Sequence, residues 1–117
     1  SAEVADVTIR DARREDHAAW LPLWEGYNAF YGREGPTALD PAITAATWAR
    51  FHDPGEPMFC LVAEEARALL GLAHGVLHRS TTMVAPTCYL QDLFTGEAAR
   101  GRGVGRALIE AVAARAK

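Results

Sequence analysis

A run of alternating glycines between a β-prone stretch and a helix-periodic one constrains this chain more than anything else in it. In residues 88–117, CYLQDLFTGEAARGRGVGRALIEAVAARAK, an apolar segment from Cys88 to Thr95 carries two polar residues, Gln91 and Asp92. Gly96 breaks it, and Gly101, Gly103 and Gly105 then alternate with Arg102, Val104 and Arg106. From Val104 the period becomes helical, with Val104, Leu108, Ala111, Val112 and Arg115 on one face. Such a loop aims backbone N–H groups outward at the positive end of a helix, where they suit a phosphate. Glycines let the anion come close because no β-carbon intervenes. Arg100, Arg102 and Arg106 add positive charge.

Two well-known phosphate loops are excluded. No Lys-Ser or Lys-Thr follows the glycines, so the G-x-x-x-x-G-K-[ST] pattern is absent. G-x-G-x-x-G also fails, since its third glycine falls at Arg106 or Leu108. What fits is R-x-x-G-x-G, here Arg100-Gly101-Arg102-Gly103-Val104-Gly105. Behind the strand YLQDLFT and ahead of a helix, it resembles the acetyl-CoA-binding motif of the GNAT superfamily of N-acetyltransferases. The bland alternative is a Gly/Arg-rich surface turn before an ordinary helix.

With 117 residues, half of them hydrophobic, the chain has material for one packed domain spanning 1–117. No apolar run is long enough to cross a membrane, and SAEVADV lacks the character of a signal peptide, so a cytoplasmic setting is expected. Cys60 and Cys88 both lie in apolar runs and read as buried thiols. The net charge of −3 is uneven: residues 92–117 hold five basic and three acidic side chains, residues 1–91 seven and twelve. A positive end suits an anionic co-substrate and an acidic remainder a cationic amine, although surface charge also fluctuates without function. The acidic balance argues against nucleic acid.

Val7 to Arg10 reads as a first strand. Asp16 is placed to cap a helix whose inward face is Trp20, Leu23, Trp24, Tyr27 and Phe30 or Tyr31, with Pro22 expected to kink it. That aromatic stripe is read first as core, with its far end, Tyr27 and Tyr31, lining a substrate pocket. Asp40-Pro41 starts a second helix carrying Ile43, Thr47, Trp48 and Phe51. Met58 to Glu64 is apolar on both faces, a central strand. Leu69 to His78 is a third strand, where Gly71 and Gly75 suggest a bulge or a close approach. His74 and His78 share a strand face but sit too far apart to hold one ion, so both are read as structural or solvent-facing, and no metal is expected.

The order β-α-α-β-β-β-α matches the first part of the GNAT fold, an α/β (α+β) architecture on a mixed sheet. The resemblance implies transfer of an acetyl group from acetyl-CoA to a primary amine by direct attack. YLQDLF is similar, more narrowly, to polyamine and diamine acetyltransferases, which often carry Glu-Asp where this chain has Gln91-Asp92. An amide takes no proton at neutral pH, so the ionisable group becomes Asp92, acting directly or through water, with Gln91 positioning water or substrate. Asp92 tying down a neighbouring loop is the alternative. The resemblance further implies that backbone near Leu93, Phe94 and Thr95 meets the pantetheine arm and the oxyanion, and that Arg100 to Arg106 hold the pyrophosphate. The family fold continues with another strand, a helix and commonly a tyrosine general acid. The expectation is therefore that these 117 residues are part of a longer protein, with a second chain, as in a homodimer, as the other source of the missing strand. A non-catalytic acetyl-CoA-binding module, or a structural protein with an incidental RGRGVG, stays open.

Overall fold

A computed structural model describes residues 6–116. Residues 1–5, most of the stretch read for a signal peptide, and residue 117, the end of the glycine-loop segment, lie outside the described residues. The elements are β1 (Thr8–Asp11), α1 (His17–Phe30), α2 (Pro41–Phe51), β2 (Met58–Glu65), β3 (Ala68–His78), β4 (Thr87–Thr95) and α3 (Val104–Arg115). This is the expected order. The four strands form one sheet, β1-β2-β3-β4, antiparallel at each pairing.

Two helices lie on one face and one on the other. Alternation along β2 divides the core: Cys60 and Val62 join Trp20, Trp24 and Leu72 under α1 and α2, while Phe59, Leu61 and Ala63 meet Val104, Leu108 and Val112 of α3. Burial on both faces is what the apolar run of β2 predicts. Among the described residues no helix is long and apolar enough to cross a membrane.

Some local readings change. Asp16 does not cap α1 with its side chain. A 3-10 turn, Arg14–Asp16, leads into the helix, so Asp16 is already in helical conformation and its carboxylate turns back. There it accepts from the Arg10 guanidinium at 2.7 and 3.0 Å and from the Arg13 N–H at 2.7 Å. The Arg10 hydrogen bonds hold the Asp16 carboxyl below its ordinary value. α1 runs unbroken through Pro22. Asp40 does cap α2, its carboxylate accepting from the Ala42 N–H at 2.9 Å with Pro41 behind it. Ile43 is exposed, and Thr44 faces α1 and accepts the Trp24 indole N–H at 3.1 Å.

One irregularity sets the chemistry of β4. His74 pairs with Asp92, but the next position, Gly75, pairs with Leu90, so Gln91 is an extra residue on β4. Before it, Cys88 and Leu90 pack on the α3 side. Beyond it Leu93 does so, and Phe94 packs under α1. Without the bulge, Asp92 would share a face with Leu90. With it, Asp92 lies on the α1 side with His74.

Gly75, beside this bulge, has no room for a side chain: a β-carbon there would run into the buried Phe59 ring. Gly75→Ala is therefore expected to cost about 1–3 kcal/mol by overpacking. Chemical denaturation measures this, and an unchanged midpoint would contradict the packing of Phe59 against β3.

Candidate active site

The site is built on a polar chain running out of the core. Trp20 is fully buried and donates its indole N–H to His74 Nε2 at 3.1 Å. His74, 1% exposed, meets Asp92 Oδ2 through Nδ1 at 2.9 Å. An indole nitrogen only donates, so Nε2 is the acceptor and Nδ1 carries the proton. Burial pushes the imidazole down, outweighing the opposite pull of Asp92, and keeps it neutral. The Asp92 side chain is 11% exposed, at the edge of the buried region.

Aromatic rings lead from this chain toward solvent. Trp20 stacks on Trp24, Trp24 on Tyr27 with centroids 5.5 Å apart, and Tyr27 contacts Tyr31 at 5.0 Å. Trp20 and Trp24 are core, as the stripe suggested, whereas Tyr31 is exposed. Burial, then hydrogen bonding to the Asp92 carboxylate, pushes the Tyr27 phenol up to about 12. The Arg33 guanidinium sits 5.9 Å from the Tyr27 ring centre and 5.7 Å from that of Tyr31. Its Nε donates to Asn28 Oδ1 at 2.7 Å, which holds it there. Beside α1 a cavity of about 650 Å³ is lined by Leu21, Trp24, Asn28, Arg33, Leu39 and Thr44 among others. Trp24 forms both a wall of this cavity and a packing partner of His74, with ring centres 5.1 Å apart.

The structure thus brings Asp92 and Tyr27 together, puts Tyr31 at the outer end of the stripe, and turns Gln91 to solvent. His74 was missed. Its proximity to Asp92 depends on the bulge, which no hydrophobic pattern announces.

The glycine loop lies at the other end of β4. Gly101 and Gly103 both adopt φ of +77°, left-handed geometry that a β-carbon disfavours. The α3 ladder starts with the Ala107 N–H donating to the Gly103 carbonyl at 3.0 Å. The N–H groups of Val104, Gly105 and Arg106 therefore precede the ladder, at the positive end of the helix. A β-carbon at Gly105 would lie 3.7 Å from the Thr95 methyl, so the helix starts close against the end of β4. Arg100 and Arg106 are exposed. Arg102 instead makes a two-pronged pair with Glu65 at 3.1 and 2.6 Å, tying the loop to the β2–β3 hairpin.

Backbone direction along β4 follows from the Gly96 N–H donating to the Leu70 carbonyl at 2.8 Å. In an antiparallel ladder alternate residues face the partner, so Phe94 turns its N–H to β3 while Leu93 and Thr95 aim theirs away. Among the described residues no three His, Cys, Asp or Glu side chains gather as metal ligands. Cys60 is buried and Cys88 half-buried, both as thiols.

Comparison with known proteins gives a consistent family. The model of the Acetyltransferase (GNAT) family matches residues 19–117. The D-amino-acid N-acetyltransferase HPA3 of Saccharomyces cerevisiae is 34% identical over 112 residues, covering 94% of this chain and 67% of that protein. Among solved structures, a possible acetyltransferase from Clostridium difficile 630 superposes with a TM-score of 0.79 at 16% identity, over 93% of this chain and 70% of that one. AAC(6')-Iy, in complex with the bisubstrate analog CoA-S-monomethyl-acetylneamine, superposes with a TM-score of 0.70 at 21% identity, over 92% and 69%. The chain spans about two thirds of the length of these relatives.

The Tyr27 environment can be measured directly. Subtracting the alkaline absorbance titration of Tyr27→Phe from that of the wild type should isolate a phenol ionising near about 12. A component at the ordinary value of about 10 would contradict its burial against Asp92.

Proposed function

The chain belongs to the acetyltransferase (GNAT) family, and we propose that it moves the acetyl group of acetyl-CoA to a primary amine, with Asp92 receiving the amine's proton. The observation that carries this reading is the Asp92 carboxylate, placed by the bulge on the α1 side and held through one oxygen by His74. An alkylammonium has a pKa of about 10.4, so only about one molecule in a thousand is a free amine at neutral pH. The ammonium N–H bond breaks, the proton passes to the carboxylate directly or through a water, and the amine lone pair is released. Acetyl-CoA, when bound, supplies the thioester carbonyl that this lone pair attacks, giving the acetamide and the free thiol. The Leu93 N–H, aimed away from β3, is the donor best directed at the developing oxyanion.

The residues of the glycine loop fit a pyrophosphate. Left-handed Gly101 and Gly103, the N–H groups ahead of the α3 ladder, and exposed Arg100 and Arg106 offer donors and positive charge without side-chain bulk. Arg102 acts in this reading by fixing the loop through Glu65. Gln91, turned outward, takes no proton and is left with positioning water or substrate.

For the acceptor, two classes differ in charge. The polyamine-like appearance of YLQDLF favours a second ammonium, whereas Arg33 over Tyr27 and Tyr31 favours a carboxylate near the amine. We take the amino acid as the better acceptor, in line with the amino-acid substrate in the name of the yeast relative. The reaction is placed in the cytoplasm, where acetyl-CoA is available.

Two variants test this reading. Asp92→Asn should lower kcat by about 10²–10⁴-fold while leaving acetyl-CoA affinity intact. A wild-type rate with a wild-type pH profile would remove Asp92 from the chemistry. Gly103→Val should weaken acetyl-CoA binding more than about tenfold by calorimetry, since several charge-assisted hydrogen bonds at about 1.5–3 kcal/mol each depend on close approach. Unchanged affinity in the folded variant would contradict the loop assignment. A panel of amino acids and polyamines, assayed for thiol release, separates the acceptors, and binding without turnover of any amine would identify a coenzyme-binding module instead.

A further inference from the structure

We propose that His74 is a positioning residue for the base that receives the amine's proton: an imidazole whose tautomer is fixed by Trp20, so that its Nδ1–H holds Asp92 Oδ2 and leaves Oδ1 to the amine. This rests on the reading of Asp92 as proton acceptor. The structural observations behind it stand independently. Trp20 is fully buried and His74 is 1% exposed, so neither can exchange its partner for water. The indole N–H at 3.1 Å leaves Nε2 only the role of acceptor, and the 2.9 Å contact at the other nitrogen then has one polarity, imidazole to carboxylate.

Neutrality matters as much as geometry. An imidazolium beside Asp92 would cancel the carboxylate's charge and weaken its attraction for an ammonium. Protonating Nε2 would break the bond from Trp20 and put a charge among the rings of Trp20, Trp24 and Phe51. The titratable groups facing His74 are Asp92 from β4 and the Cys60 thiol from the paired position on β2. Tyr27 from α1 adjoins Asp92, and α2 turns Phe51 to the imidazole. One ring further out, His17 and His52 pack on Trp48. Burial raises the Cys60 thiol and the Tyr27 phenol, so both stay uncharged, and among the described residues Asp92 is the anion the imidazole meets.

In the proton step the ammonium N–H bond breaks and an O–H bond forms on Asp92 Oδ1. His74 keeps its proton throughout. Its hydrogen bond fixes the orientation of the carboxylate, so losing it should slow the proton step.

Two measurements on the intact protein test this. Long-range ¹H–¹⁵N spectra of histidine-labelled protein should show His74 as the neutral Nδ1–H tautomer across the pH range in which the enzyme is active. An Nε2–H tautomer or an imidazolium in that range would overturn the proposal. In kinetics, His74→Leu should lower kcat about 10- to 100-fold, with KM for acetyl-CoA unchanged. His74→Asn, which restores a donor near Nδ1, should recover most of that loss. A merely structural role would weaken both variants alike, which refutes the proposal. Asp92→Asn is run beside them. If it is inactive while folded His74→Leu keeps its rate, the His74 inference fails and the base assignment stands. If Asp92→Asn keeps its rate, the base assignment itself fails. Should His74→Leu not fold, the wild-type tautomer still decides.

Discussion

The extra residue at Gln91 is the constraint on which the rest of the site depends. Strand side chains alternate strictly, so one unpaired residue reverses the face of everything after it. Cys88 and Leu90 serve the α3 core before the bulge; Asp92 and Phe94 serve the α1 face after it. The same step leaves the N–H groups of Leu93 and Thr95 directed away from β3. The Asp92 carboxylate, an outward backbone N–H at Leu93 and the start of the glycine loop thereby follow one another at the end of one strand. Bulges commonly re-aim a side chain in this way near functional sites.

Placing an aspartate on that face puts a charge beside an apolar core, and the surrounding residues reflect it. A buried polar group without a partner costs on the order of 1–3 kcal/mol, more if charged. Trp20 and His74 meet the need in series, each using a hydrogen-bonding group that would otherwise be stranded in the core. The aromatic stripe of α1 has two duties, packing on the sheet at Trp20 and Trp24 and walling the approach to Asp92 at Tyr27. Gly26 permits this closeness, because a β-carbon there would stand 3.0 Å from the Phe94 ring.

The order of elements, the division of the core and the glycine loop were legible in the sequence, for identifiable reasons. Apolar runs with the period of a strand or a helix report burial directly, and Asp40-Pro41 and the Gly101–Gly103–Gly105 alternation carry their geometry in residue type. Asp92 was legible as an ionisable residue in a strand, but its partner was not. His74 and Asp92 lie 18 positions apart, and their meeting requires a register that shifts within the pairing. Asp16 misled for a related reason: a cap residue and an Arg10 partner look the same in sequence, and a 3-10 turn decided between them. Nor does the sequence announce the pair of Arg102 with Glu65, which the β2–β3 hairpin brings to it.

A crystal structure with a bisubstrate analogue, coenzyme A joined through its sulfur to an amino acid, tests the central claim most directly. The expected result has the analogue's amine nitrogen within about 3 Å of Asp92 Oδ1, with His74 still on Oδ2. Its pyrophosphate should lie on the N–H groups of Val104 to Arg106. An amine seated in the cavity between α1 and α2, with Asp92 touching only His74 and Tyr27, would contradict it.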